Sequence, residues 1–371
     1  MKILQVINSL GTGGAEKLLL DSVVLYRKAG IAVDILILWD NNHPFLQELI
    51  NQNVCKVYIL SQSSKVMDIY NPLHIFKIKK IMRNYDIVHV HLFPAQYFAV
   101  FANILNSGSS KLIFTEHNTS NNRISNKLFG PIEKFIYKRY ARVVCITEEI
   151  RVIYKNYLGT DENLVLINNG VDITKISNAG MIPRNKIHPS LQSGDKLILQ
   201  VSAFRTQKDQ PTLIKAMLYV PNHFKLLLVG SGEKLAECRQ LVNDLHLGEK
   251  VFFLEQRMDI PQLLKSVDMV VLSTHYEGLS LASIEGMSSG KPFLASDVPG
   301  LREIVSEAGI LFEQGDENEL AAHMNKLAGD SQYTFTIVEK CLERAKQFDI
   351  TKMVDLHILL YKNIFEENFK I

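Results

Sequence analysis

Twice along this chain a series of short apolar runs alternates with helical patterns, and that repeated rhythm leaves few folds open. In the first half the candidate strands are residues 2–7, 33–39, 86–91, 111–117, 142–147 and 163–168. The second half repeats the pattern at 196–202, 224–230, 250–255, 269–274, 292–296 and 310–313. Near-continuous apolar runs separated by helices indicate parallel sheets covered on both faces, so each half predicts a Rossmann-like α/β domain. With 371 residues the chain exceeds the size at which one core keeps growing. Two domains are expected, over 1–180 and 181–350, with a linker at 173–195, rich in Asn, Pro, Ser and Gly. A last amphipathic stretch, 351–365, reads as a terminal helix. Such sheets bind ligands at the carboxyl ends of their strands, which puts the expected site in a cleft where two sheets face each other.

Composition narrows the class further. A hydrophobic content of 47% without long low-complexity tracts is that of a globular protein. Cys55, Cys145, Cys238 and Cys341 have no paired spacing, which argues against a disulfide framework or a zinc site and for a reducing compartment. The first apolar run, 1–7, is too short for a signal peptide, and no stretch approaches the roughly 20 apolar residues of a membrane span. A cytoplasmic protein is expected. Its net charge of +2 hides a split, because residues 1–180 carry 20 Lys and Arg against 14 Asp and Glu. The remainder carries 21 against 25. Such asymmetry suits a first half that meets an anionic surface or substrate, or equally a solvated basic face. Nucleic acid is not expected as a partner.

Glu277 and Glu285 stand eight positions apart in Ser273-Thr-His-Tyr-Glu277-Gly278-Leu279-Ser280-Leu281-Ala-Ser-Ile-Glu285-Gly-Met-Ser-Ser-Gly290-Lys-Pro292. An apolar run leads in, Gly278 permits a tight turn, and a short helix follows. That order aims backbone N–H groups and a helix N-terminus at whatever occupies the turn, an anion site. Two carboxylates beside an anion are tolerable if they hold neutral hydroxyls attached to it. A nucleotide sugar has that form, with a diphosphate between a ribose diol and a sugar polyol. Taken alone, such a motif is more often a surface turn with two solvated glutamates, and the surrounding sequence is what lifts it.

This stretch resembles the family 4 retaining glycosyltransferases of the GT-B fold, the glycosyltransferase group 1 proteins. Their signature places Glu-x7-Glu in a Ser-x-x-Glu-Gly...Glu-Ala-Met-Ala-x-Gly-x-Pro pattern, followed by Ser-Asp-x-x-Gly-x-x-Glu-Ile-Val. The second run here is Ser296-Asp-Val-Pro-Gly300-Leu-Arg-Glu303-Ile-Val305. Ser280 stands where Gly or Pro is usual, and Gly286 where Ala is usual. The resemblance implies an α/β, GT-B architecture of two Rossmann-like domains with parallel sheets facing across a cleft. In such proteins the terminal helix, here 351–371, crosses back onto the first domain.

Other segments carry over one at a time. Ser202-Ala-Phe204-Arg205-Thr-Gln-Lys208 follows a strand, and its two cations suit a departing diphosphate. The family has Arg five residues before this Lys. Ala203 fills that place here, so the resemblance carries Lys208 and offers Arg205 as a replacement. Gly230-Ser-Gly232 resembles the family's glycine turn near the donor, and Leu254-Glu255-Gln-Arg257 its segment around the nucleotide base, with Glu255 replacing a usual Gly. Gly11-Thr-Gly13-Gly14-Ala-Glu16 invites a dinucleotide reading, but Glu16 replaces the third glycine and would repel a pyrophosphate. The resemblance implies instead that Gly13 and Gly14 form the acceptor-side loop. It also places His117, at the end of a strand, beside the transferred sugar. His89 and His91 share a strand face but lack a third ligand nearby, and no metal site is expected. Asn168-Asn-Gly170-Val-Asp172 matches a family turn and predicts an unusual φ at Gly170.

From these residues the resemblance implies a retaining, metal-independent transferase that moves a hexose or N-acetylhexosamine from a nucleotide-diphosphate sugar, a UDP-sugar first of all, to a saccharide acceptor. The nucleotide sugar is a co-substrate, and no cofactor is implied. Glu277, Lys208, Arg205 and His117 would act at the reacting centre. Glu285, Gly230, Gly232, Arg257 and the segment Gly278, Leu279, Ser280, Leu281 would hold the donor. A UDP-sugar epimerase of the same fold, or a non-catalytic binding partner, is the competing reading. Basic residues mixed with apolar ones, Lys77, Lys79, Lys80 and Arg83, then Lys127, Lys134, Lys138 and Arg139, suit an anionic membrane. A polyprenyl-diphosphate-linked acceptor would place the protein peripherally on the inner face of the plasma membrane.

Overall fold

The computed structural model describes residues 1–117, 123, 124, 126 and 129–367. Two compact units emerge, one formed by Met1–Gly170 with the chain from Ile350 onward, the other by Val171–Asp349. Among the described residues the first holds seven strands: β1 (Lys2–Ile7), β2 (Ala32–Ile37), β3 (Val57–Ile59), β4 (Ile87–His91), β5 (Lys111–Glu116), β6 (Arg142–Cys145) and β7 (Leu164–Leu166). They run parallel in the order β3-β2-β1-β4-β5-β6-β7. The second holds six: β8 (Lys196–Val201), β9 (Phe224–Val229), β10 (Val251–Phe253), β11 (Met269–Leu272), β12 (Phe293–Ser296) and β13 (Ile310–Phe312). Their order, all parallel, is β10-β9-β8-β11-β12-β13. Strand order therefore reverses between β1 and β4 in one unit and between β8 and β11 in the other, where ligands bind in open parallel sheets.

Central strands are buried on both faces. Ile3, Leu4, Val6 and Ile7 are wholly inaccessible, as are Leu197, Ile198 and Leu199. Gln5 is the polar exception in β1 and is equally buried; a buried amide in such a strand must find partners. The short edge strand β3, three half-buried residues, has too little apolar signal to stand out in the sequence.

The expected linker is folded instead. Helices Ile173–Ser177 and Arg184–Ile187 lie within it, Ile176, Ile187 and Leu191 are buried, and the division falls at Gly170, ten residues before the expected boundary. Polar composition there reflects capping and turn chemistry: Asp172 caps the first of these helices through the Lys175 N–H at 2.8 Å, and the Ile182 N–H donates to Ser266 Oγ at 2.7 Å. Gly170 is not among the glycines with left-handed φ, contrary to expectation. The turn is held instead by the Asn168 side chain on the Ile146 carbonyl (2.8 Å) and the Val171 N–H on that of Phe348 (2.9 Å).

Candidate active site

In the second unit, β8 and β11 are neighbours, so the loops that leave their carboxyl ends run side by side. They are stitched together. Lys208 and Thr274 form an antiparallel bridge. The Asp209 N–H donates to the Ser273 carbonyl (3.1 Å), the His275 N–H to that of Gln207 (2.9 Å), and the Gln207 side-chain amide to that of Tyr276 (2.9 Å). This arrangement sets the Lys208 ammonium directly on the Glu277 carboxylate, with side chains only 14% and 7% exposed. The motifs give no hint of that ion pair, which joins two residues assigned separately to diphosphate and sugar. Removing one member of so buried a pair leaves the other's charge uncompensated.

Glu277 opens the turn before helix Leu281–Ser288, and the N–H groups of Gly278, Leu279, Ser280 and Leu281 donate to no protein acceptor among the described residues. Ser280, the N-cap, makes no side-chain cap. Its φ of −76° is one that proline also adopts, which explains why neither Gly nor Pro is required there. Open amides, a helix N-terminus and a neighbouring ammonium are the chemistry that suits an anion. Glu285 lies inside the same helix, 7% exposed, and lines a small cavity with Val201, Leu264 and Ala282. Gly286 packs flat on β12: a Cβ there would meet the Phe293 ring at 2.5 Å and Val270 at 3.0 Å. The departure from Ala thus answers a large aromatic neighbour.

Sequence reasoning assigned no role to the residues that shape the turn. Gly300, at φ +81°, lies against the carbonyls of Glu277 and Gly278, where any Cβ would collide. Its N–H donates to Glu303 at 2.8 Å, and the Thr274 N–H donates to Ser296 Oγ at 3.0 Å. The second run of the signature is therefore a scaffold for the first, and its fixed spacing was the available signal.

Gly230 and Gly232, at φ +143° and +152°, are shaped by the backbone beside them. A Cβ on Gly230 would collide with the Ser202 carbonyl, and one on Gly232 with that of Phe204. The Phe204 N–H donates to the Ser231 carbonyl and the Phe204 carbonyl accepts from the Lys234 N–H, both at 3.0 Å. The glycine turn thereby braces the loop that carries Lys208. Glu255 accepts from the Gly230 N–H at 2.8 Å and adopts a left-handed φ of +55°, which is why glycine is usual there. Arg257 grips Asp259 through two bonds of 2.8 and 2.6 Å, and this partner holds the Asp259 carboxyl below its ordinary value. Arg205 is exposed, and among the described residues its side chain makes no hydrogen bond or ion pair.

The first unit presents a different edge. Gly13 is the extended N-cap of helix Gly14–Lys28, exposed together with Gly14. Beside it a hydrogen-bonded chain runs inward from His117. His117 Nε2 lies 3.2 Å from His91 Nδ1, and His91 Nε2 lies 2.9 Å from Gln5 Oε1. Gln5 Nε2 donates to the Tyr361 hydroxyl (3.1 Å), which meets His89 Nδ1 at 2.7 Å, and His89 Nε2 meets Thr115 Oγ1 at 2.7 Å. Gln5, held by the Tyr361 hydroxyl, orients the outer half of it. Gln5 Oε1 accepts from His91 Nε2–H, so His91 Nδ1 accepts from His117 Nε2–H and His117 Nδ1 is left as a lone pair. Burial is the main reason all these rings stay neutral: it pushes His117 and His357 to about 4 and His89 and His91 well below their ordinary value. Tyr361 and His357 come from helix Ile350–Glu366, which packs on helix Gly14–Lys28 in this unit. No group of three or more His, Cys, Asp or Glu among the described residues is arranged to hold a metal ion. Asn118, which follows His117, lies outside the described residues.

Comparison with known proteins accounts for both halves. Residues 12–175 match the family described as Glycosyltransferase Family 4, and residues 182–348 that described as Glycosyl transferases group 1. The N-acetyl-alpha-D-glucosaminyl L-malate synthase of Bacillus anthracis is 24% identical over 77% of this chain and 76% of its own length. The UDP-Gal:alpha-D-GlcNAc-diphosphoundecaprenol alpha-1,3-galactosyltransferase of Escherichia coli is 27% identical over 79% of each. In structure the chain is similar to Anabaena HepE, solved in complex with UDP-glucose, with a TM-score of 0.82 and 24% identity over 98% of this chain and 100% of that one. With two parallel-sheet units and both halves of the family signature in place, the chain belongs to the group 1 glycosyltransferases, as a transferase of the GT-B fold.

Proposed function

We propose that the protein transfers a hexose or N-acetylhexosamine from a UDP-sugar to a saccharide acceptor, with retention of configuration and without a metal ion. The observation that carries this reading is the turn at Glu277: an ammonium, a carboxylate and four open amides within one short loop. Lys208 and the amides from Gly278 to Leu281 would hold the diphosphate, and Arg205 adds a mobile cation at the rim. Glu285 would hold the ribose diol and Glu277 the donor sugar hydroxyls. The sites on Gly230, Gly232 and Arg257 would serve the donor indirectly, by bracing the loops around it. Gly13, Gly14 and His117 belong to the acceptor and sugar side.

In front-face transfer the acceptor oxygen bonds to the anomeric carbon on the side from which the diphosphate departs. The bond from that carbon to the phosphate oxygen breaks, and the acceptor's proton passes to the departing oxygen. Lys208 would supply the fixed positive charge that a metal supplies elsewhere. Lys208 is held by Glu277 in this turn, and on donor binding phosphate would take the ammonium and sugar hydroxyls the carboxylate. The Escherichia coli relative, whose name specifies UDP-Gal and a diphosphoundecaprenol-linked acceptor, supports a UDP-sugar and a lipid-linked saccharide here.

Calorimetry with UDP alone, set beside transfer rates, tests the roles. Glu285→Gln is expected to weaken UDP binding about tenfold or more, as loss of a charged hydrogen bond does. Glu277→Gln is expected to bind UDP as well as or better than the parent, because Lys208 is released, while transfer falls. Transfer is expected to continue in excess chelator. Equal loss of UDP affinity in both variants would overturn the assignment.

A further inference from the structure

The first unit carries an apolar face that is exposed among the described residues. It begins in the turn Val66–Tyr70 and continues through helix His74–Met82, where Met67 is 72% exposed, Phe76 62% and Leu73 59%. That helix packs on helix Ala95–Ile104, which packs on helix Gly130–Tyr137, so Phe129 and Phe135, both exposed, stand on the same side of the sheet. Large side chains exposed in such number mark an interaction surface.

Charge on this face is of one sign. The three helices contain a single acidic residue, Glu133, which is wholly buried and paired with Arg123 and with the Tyr97 hydroxyl at 2.8 Å. Asp68 in the preceding turn is turned onto Ser63 Oγ at 2.5 Å. Lys65, Lys79 and Lys80 flank the apolar side chains, and Arg139 lies over the Phe135 ring at 4.7 Å. Lys77 is not part of this fringe, since its ammonium is bound to the Leu60 carbonyl at 2.6 Å. Lys127 lies outside the described residues. Lysine is depleted from protein interfaces, whereas basic residues interleaved with Met, Leu and Phe suit the headgroup boundary of an anionic bilayer.

We propose that this face docks the protein on an anionic lipid surface, with Met67, Leu73 and Phe76 entering the headgroup boundary and Lys65, Lys79 and Lys80 meeting lipid phosphates. The proposal rests on the lipid-linked reading of the acceptor for its purpose but not for its geometry. No helix among the described residues is long and apolar enough to cross a membrane.

Flotation of the full chain with phosphatidylcholine vesicles, with and without phosphatidylglycerol, tests it. Binding is expected only with phosphatidylglycerol and partly persists in high salt. Lys79→Glu with Lys80→Glu is expected to weaken partitioning about thirtyfold or more, from about a fivefold loss for each lysine removed. Met67→Ser with Phe76→Ser is expected to abolish the salt-resistant fraction. Calorimetric binding of UDP, unchanged in both double variants, shows that they are folded; if the parent fails to bind UDP, the donor reading fails while the flotation result stands. Equal flotation with both vesicle types, none with either, or parental flotation by both variants would overturn the docking surface. So would a parental dimer that the Met67 and Phe76 variant dissociates.

Discussion

The carboxyl edges of the two sheets are built on the same topology and hold opposite chemistry. In the second unit the edge is ionic and open: Lys208 on Glu277, free amides, an exposed Arg205. In the first it is neutral and closed, three histidines, an amide, a threonine and a phenol hydrogen-bonded to one another. An edge that must take up a diphosphate needs charge that can be re-partnered. An edge that presents one ring in one protonation state needs the reverse, a network whose protons have nowhere else to go.

Lys208→Ala would break the contrast most severely. It removes the cation that sits on Glu277 and leaves that carboxylate uncompensated, so turnover is expected to fall by about 10²–10³, equivalent to roughly 3–4 kcal/mol. Arg205→Ala should cost less, its side chain being unanchored. Parental rates in both would move the diphosphate site elsewhere.

Acid should separate the units next. His117 and His357 titrate near 4 in the folded protein and near 6.5 unfolded, so the unfolded chain takes up protons first as pH falls. Stability from these rings is complete above about 6.5 and drains away between there and about 4, by about 3 kcal/mol for His357. Hydrogen exchange at pH 7 and pH 4.5 is expected to show strands β1, β4 and β5 losing protection ahead of β8 and β11. Uniform loss would deny the first unit its neutral interior.

Tyr361→Phe is a finer cut. It removes a hydroxyl that accepts from Gln5 and meets His89, at an expected cost of about 1–3 kcal/mol in urea unfolding. Nitrogen-resolved NMR of His117 should also show mixed tautomers where the parent shows one. An unchanged His117 spectrum would mean that Gln5 alone orients the chain. The smallest effect is expected from Glu255→Gly, which relieves a left-handed backbone and should stabilise the second unit by about 1 kcal/mol at most. A destabilised variant would show that the glutamate side chain contributes more than its backbone costs.

Much of this was legible in the residues. Strand periodicity located twelve of the thirteen strands among the described residues, because doubly buried parallel strands are nearly continuous apolar runs; β3, three half-buried residues at an edge, escaped. Glu277 and Glu285 stood out because one turn and helix fix their spacing, and Lys208 because the family resemblance places a lysine there. Contacts between distant segments were not legible. Nothing near Lys208 in sequence says that it meets Glu277, and nothing in the strand pattern says that Gln5, His91 and Tyr361 form one chain. Nor does composition separate a folded connection from a linker: polar residues at 173–195 cap short helices as readily as they fill a loop.

The return of helix Ile350–Glu366 to the first unit has a temporal meaning. A ribosome releases the first seven strands long before it releases Tyr361 and His357, with the entire second unit synthesised in between. Until then Gln5 and His89 lack their shared phenol, and the face of helix Gly14–Lys28 that will receive the last helix is bare. The nascent first unit is thus held short of completion while the second folds as a block behind it. Synthesis itself imposes an order in which the ionic edge is finished first and the neutral one last.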